Sequence, residues 1–270
     1  MRAARPRANP AKPVFSRIFR NSGWLSGAAL GLAALPLMQG GEEPHVLTLV
    51  FTLTFLVISL GIHEAAHAQV ADWCGDPTAK DLGRITLNPI PHIDPFMTIL
   101  LPAVLYLGSG GRMLFGGAKP VPVSYHRLRH PLRDMMLVAI AGPASNFLLA
   151  VVFTLAWKVS VYIAGLQAAH YDVDGDLAPG QLLPEVLSGS IRLNLLLAAF
   201  NMLPIPPLDG SRVMTWLLPA PLRPGYVALE RFGLLLVMGA MYLVPQVRIL
   251  VWTGVGQMND VIDLCTGGVW

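Results

Sequence analysis

Val46 to Trp73 is a continuous apolar run, and in its later half it carries Ile62-His63-Glu64-Ala65-Ala66-His67. A run of that length reads as a membrane-crossing helix. This limits the rest of the chain: at membrane depth a backbone must satisfy its own polar groups, and irregular segments survive only where protein or enclosed water covers them. Composition agrees. Of 270 residues, 54% are hydrophobic and 13% are charged, with a mean hydropathy of +0.55, too few charges to clothe a water-soluble surface of this size. The expected fold class is an all-α polytopic membrane protein of about six transmembrane helices, set by the length of its apolar runs. A re-entrant or strand-like segment is expected between the helix holding His63 and the next span.

His63 and His67 stand four residues apart, one helical turn, so both imidazoles face the same side. They can reach one tetrahedral zinc ion, and Glu64 lies beside them, able to take a proton from a water on that ion. The pattern H-E-x-x-H recurs in zinc metalloproteases. Ionisable groups within hydrocarbon are costly, about 2.5–3.5 kcal/mol for a charged side chain near the centre, and persist mainly where they face a cavity and serve it.

Charge placement orients the chain. Residues 1–23 hold Arg2, Arg5, Arg7, Lys12, Arg17 and Arg20, and the first acidic residue is Glu42. A basic segment before the apolar run Trp24–Met38 is shared by signal peptides, transit peptides and signal anchors. An uncleaved first helix is favoured, because no small-x-small site follows. Residues 1–23 then form a basic cytoplasmic segment, and 24–265 a single integral membrane domain with its core at about 46–213. Glu42 and Glu43 lie outside, so the helix from Val46 to Asp72 runs inward, with His67 toward the cytoplasmic face. Phe96–Leu107 is too short to span and has basic flanks on both sides, so it is expected to be re-entrant, or paired with a second short dip through Met113–Val123. Spans follow at Asp134–Gly165, Leu182–Leu203 and Tyr226–Leu243, and the half-apolar tail Val247–Leu264 has no assigned place. Asp172-Val173-Asp174-Gly175-Asp176 fails the EF-hand spacing and reads as a solvated external loop. The location implied is a bacterial inner membrane, multi-pass, with the N-terminus and the site toward the cytoplasm.

A catalytic zinc takes three protein ligands and leaves one position open. Asp209, at the inner end of a helix parallel to the first, best fits the third by topology; its alternative is to cap the helix that starts after Gly210. Here the sequence resembles the site-2 protease family of intramembrane zinc metalloproteases. The resemblance rests on His63-Glu64-Ala65-Ala66-His67 followed by Asn201…Pro204…Pro206…Leu208-Asp209-Gly210, with Leu87-Asn88-Pro89…His92-Ile93-Asp94-Pro95, Gly117-Ala118-Lys119-Pro120-Val121-Pro122-Val123 and Gly142-Pro143…Asn146 in collinear order between them. It implies one Zn2+ per chain held by His63, His67 and Asp209, with Glu64 as acid/base. It also implies a compact form with neither a PDZ-like insertion nor a nucleotide-sensing CBS domain.

A helical substrate hides its carbonyls, so it must be unwound and held extended. Gly116–Val123 cannot continue a helix, and Lys119 and Val121 are candidates for clamping a substrate strand; a plain loop connection is the alternative. Pro204 lies in a second helix-breaking segment. Asn146 and Asn201 can hold a substrate backbone or an oxyanion, against the alternative of hydrogen bonding between helices. His92 is a candidate at the site's edge, while His45, His126, His130 and His170 read as loop residues. Cys74 and Cys265 make no disulfide framework. Nucleic acid is excluded as a partner, since no basic stripe interleaves with aromatics. The expected partners are a transmembrane protein substrate and the lipid bilayer. Two rivals stay open: a membrane metalloprotease acting on soluble or misfolded chains, and a metal transporter using the same ligands.

Overall fold

The computed structural model describes residues 46–110, 116–168 and 182–267. The run Trp24–Met38 and the acidic loop at 172–176 lie outside them. Three helices carry the centre of the fold: α1 (Val46–Trp73), α4 (Pro131–Ala168) and α5 (Leu182–Asn201). α4 packs along both α1 and α5. Side chains in lipid gain little by hiding from one another, so helices associate there through close packing and hydrogen bonds across small residues. Ala68 and Ala71 of α1 and Ala139 and Ala150 of α4 are buried in keeping with this. Leu56 and Leu60 of α1 meet Leu193, Leu196 and Phe200 of α5 in the main apolar core.

The two sets of residues whose helical register matters most come in steps of four. Ser59, His63 and His67 line one face of α1, and Val138, Gly142 and Asn146 line one face of α4. The helices run antiparallel, so His67 meets Val138 and His63 meets Asn146, with Gly142 between.

Between α1 and α4 the chain forms the short helix α2 (Thr78–Asp81), a 3-10 turn at Ile90–His92, a π-helical stretch at Pro95–Leu100 and α3 (Leu101–Gly108). Asp94 starts the π-helical stretch by accepting from the backbone N–H groups of Phe96 and Met97. Pro95–Gly108 is apolar and shorter than a span, and it occupies the position expected of the re-entrant piece. Residues 117–123 after it are extended, yet no strand forms among the described residues, which corrects the strand-like expectation. Pro120 and Pro122 carry no N–H, so alternate positions cannot donate to a ladder. The N–H groups of Gly117, Lys119 and Val121, on the other edge, go to Met97 O, His92 O and Glu64 Oε2.

Two described helices, Leu53–Trp73 and Pro131–Gly165, are long and apolar enough to cross a membrane, and a bent pair makes a third. About six are not reached among the described residues. The expected single span Tyr226–Leu243 is that bent pair: α7 (Arg223–Ala228) and a 3-10 turn at Leu229–Phe232 meet α8 (Gly233–Leu243), with an 88° bend between Ala220–Phe232 and Leu235–Leu243. Gly233 sits at the corner, where a Cβ would lie 2.7 Å from Pro207 Cδ. The tail that had no assigned place is a full helix, α9 (Pro245–Thr266), packed on α5.

Candidate metal centre

His63 and His67 are buried on α1, at 4% and 8% exposure. The third member arrives from across the fold. The chain leaves α5 at Asn201, turns through Pro204–Leu208 and enters α6 (Asp209–Leu217). That turn is tight because Gly210 lies against the carbonyls of Met202 and Leu203, where a Cβ would be 2.2 Å from Met202 O. Asp209 is the first residue of α6, and no side-chain hydrogen bond caps that helix. Instead the carboxylate faces the imidazoles: Oδ2 is 3.1 Å from His63 Nε2 and Oδ1 is 3.4 Å from His67 Nε2. The two Nε2 atoms are 3.0 Å apart. These separations match the edges of a tetrahedron with metal–ligand bonds of about 2.0–2.1 Å, whose edge is about 3.3 Å.

The donor chemistry supports a cation here. His67 Nδ1 lies 2.7 Å from the carbonyl of Val138, which can only accept, so Nδ1 carries the hydrogen and Nε2 the lone pair. His63 Nδ1 lies 2.5 Å from Asn146 Oδ1. With both rings neutral and hydrogen-bonded through Nδ1, two bare ring nitrogens and a carboxylate face one point, and Asp209 Oδ2 is buried without a well-aligned donor. Such a cluster is repulsive unless a cation joins it. Gly142 leaves the space: a Cβ there would lie 2.5 Å from the His67 ring and 2.6 Å from His63 Cε1. Among the described residues, His63, His67 and Asp209 form the group able to hold a metal ion, their ligand atoms all within 4.8 Å of one another. Neutral imidazoles with a carboxylate form a donor set that suits zinc.

Glu64 follows His63 on α1 and is half-buried. Its Oε2 accepts from the N–H of Val121 at 2.8 Å. Outside the helices, Asp76 anchors the loop beyond α1. Burial opposes its charge, but donors from the Thr78 hydroxyl and from the backbone of Ser124 and Thr78 outweigh that and hold its carboxyl below the usual range.

The other candidate residues are placed as follows. Asn146 is fully buried and bonds between helices, the alternative weighed for it, with no face open to a substrate. Asn201 donates one amide hydrogen to Leu197 O of its own helix at 3.0 Å. Pro204 is exposed, and its carbonyl accepts from Tyr226 Oη at 2.8 Å. Lys119 is exposed as a side chain, while its N–H, like that of Val121, turns inward. His92 is buried with Nδ1 unpartnered, and its Nε2 sits 3.4 Å from Thr86 O. Sequence reasoning missed Asn194, which touches Asn146 and Ser59. The available signal was a lone amide inside the apolar stretch Leu193–Leu197.

No family model matches the chain, and no solved structure does. Curated relatives do, and they share the name "Putative zinc metalloprotease". YwhC of Bacillus subtilis is 38% identical over 208 residues, covering 77% of this chain and 86% of the relative. Rip2 of Mycolicibacterium smegmatis is 31% identical over 166 residues, 62% of this chain and 56% of its own length. MJ0611 of Methanocaldococcus jannaschii is 35% identical over 114 residues, 42% and 51% respectively. Likeness to YwhC runs through most of both chains, and the protein belongs to the family of zinc metalloproteases that YwhC represents.

Proposed function

We propose that the chain is an intramembrane zinc endopeptidase of the site-2 protease type, cutting a peptide bond in or near the transmembrane segment of a membrane-protein substrate. One observation carries this reading: Asp209, at the start of α6, comes within hydrogen-bond range of His63 and His67, which stand on a helix apolar enough to cross a membrane. His63, His67 and Asp209 hold one zinc ion, and Glu64 is the acid/base. When bound, zinc lowers the pKa of a coordinated water to about 7 and polarises a peptide carbonyl.

The chain's own residues supply the rest. Glu64 accepts a proton from the attacking water and passes it to the leaving amine nitrogen as the peptide bond breaks. The buried face of α1 keeps bulk water from the histidines, while Asp209, with a side chain 21% exposed, forms the accessible rim. Substrate enters in an extended form along the Pro204 and Lys119–Val121 segments, with Asn201 free to hold its backbone through the amide oxygen. The setting is a multi-pass protein of a bacterial inner membrane, with the site toward the cytoplasm, acting in regulated proteolysis.

The test is Glu64→Gln in the full chain, reconstituted with a model transmembrane substrate. This variant keeps its zinc and loses cleavage by at least a thousandfold. Residual cleavage within tenfold of wild type overturns the reading, and so does metal flux across vesicles that survives the substitution.

A further inference from the structure

A buried amide relay reaches the metal centre from behind. Asn194 on α5 donates from Nδ2 to the backbone carbonyl of Ser190 at 2.9 Å and to Ser59 Oγ at 3.0 Å. Its Oδ1 accepts from Asn146 Nδ2 at 2.9 Å, and Asn146 Oδ1 faces His63 Nδ1. Ser59, Asn146 and Asn194 are each 0% exposed, so no water can substitute for a missing partner.

The direction of this chain is determined at one end. A backbone carbonyl only accepts, so the Asn194 atom facing Ser190 O is the amide nitrogen. The Asn194 atom facing Asn146 is then the oxygen, which requires the amide nitrogen of Asn146 to face it. Asn146 therefore turns its oxygen to His63, and His63 Nδ1 carries the hydrogen. The lone pair is left on Nε2, the nitrogen that faces His67 and Asp209. His67 gets the same tautomer directly from Val138 O.

We propose that Asn194 is a positioning residue of the metal centre, transmitting the polarity of the Ser190 carbonyl through Asn146 so that His63 presents Nε2 to zinc. The proposal rests on the zinc reading above. Partners of this kind hold a ligand's tautomer and ring orientation, and their loss weakens metal binding by about 10–100-fold. Ser59 Oγ accepts the second hydrogen of Asn194 Nδ2, while the Ser190 carbonyl keeps the amide from turning over.

The experiment measures zinc affinity of the full chain in detergent by competition with a chromophoric chelator, for wild type, Asn194→Leu, Asn194→Asp, Asn146→Ala and the double variant Asn146→Ala/Asn194→Leu. Leucine matches the shape and breaks the relay. A buried aspartic acid held neutral preserves it, with O–H toward Ser190 O and C=O toward Asn146. Asn194→Leu weakens zinc binding about 10–100-fold, Asn194→Asp stays within about threefold, and Asn194→Leu adds less than about twofold once Asn146 is already alanine. Leucine that binds zinc like wild type, aspartate as weak as leucine, or effects that multiply in the double variant overturn the proposal.

Should Asn194→Leu not fold, the wild type decides. In zinc-loaded protein labelled with 15N-histidine, the His63 ring hydrogen sits on Nδ1 and exchanges slowly with water; a hydrogen found on Nε2 refutes the relay. A wild type that takes up no zinc overturns the metal reading and the relay together. Zinc uptake with an unchanged Asn194→Leu overturns the relay alone.

Discussion

The backbone N–H of Val121 donates to Glu64 Oε2 over 2.8 Å, tying an extended segment that lies 57 residues away in sequence to the carboxylate beside the metal ligands. The contact uses one oxygen of Glu64 and leaves the other for proton transfer. It also holds the segment against α1, because the Pro residues flanking Val121 cannot donate in its place. Hydrogen bonds to a charged group are worth about 1.5–3 kcal/mol. Val121→Pro deletes the N–H while keeping an extended backbone, and it should cut cleavage about 10–100-fold with zinc content unchanged. Val121→Ala keeps the N–H and should stay near wild type. A cleavage assay paired with metal analysis separates them, and equal activities would show that the contact is incidental.

Gly142 is the next test, since its missing Cβ makes room for both imidazoles. In an ordinary helix, Gly→Ala stabilises by about 1 kcal/mol. Here the added methyl meets the His67 ring at 2.5 Å, so the sign reverses at the site. Gly142→Ala should lose zinc affinity by about 10–100-fold, read by chelator competition, with no gain in thermal stability. A more stable variant with full zinc affinity would refute the packing argument.

Metal removal gives a third. Zinc that binds the folded state alone stabilises it by about 2.7 kcal/mol at a free concentration a hundred times its Kd. A chelator should lower the unfolding temperature of wild type and abolish cleavage, and zinc should restore both. Asp209→Ala should show no zinc-dependent shift, because one of three ligands is gone. Thermal unfolding in detergent, with and without zinc, checks this.

The loop anchor at Asp76 predicts a pH effect on stability. Its carboxyl is held below the ordinary value, so its contribution is fully present above the unfolded pKa of about 3.9. The contribution is lost as pH falls through the lower folded value. Asp76→Asn replaces one acceptor oxygen by a donor facing Ser124 N or Thr78, and should cost about 1–3 kcal/mol at pH 7. The gap between wild type and Asp76→Asn should shrink as the pH drops below about 4. Unfolding followed by circular dichroism at both pH values decides; a constant gap rules the electrostatic explanation out.

Much of the site was legible in the sequence, and the reason is local. Four residues make just over one turn of helix, so the spacing of His63 and His67 alone puts both rings on one face, and the length of the apolar run from Val46 makes that helix a span. Charge placement brought Asp209 to the same end as His67, but only as a matter of depth.

The tertiary structure decided what depends on the register between segments. Whether Asp209 caps α6 or faces the histidines rests on Gly210 lying against Met202 and Leu203. Asn146 had two open roles, and antiparallel packing of α4 on α1 put it behind His63. Residues 117–123 carried extended character, yet the direction of each N–H came from neighbours at Met97, His92 and Glu64. The corner near Gly233 lies against Pro207, a residue of another segment, and the sequence of the bent helices alone does not show that contact. Periodicity is a property of one helix and can be read from its residues; which hydrogen bond a buried polar atom makes is a property of the neighbour it meets, and only packing chooses that neighbour.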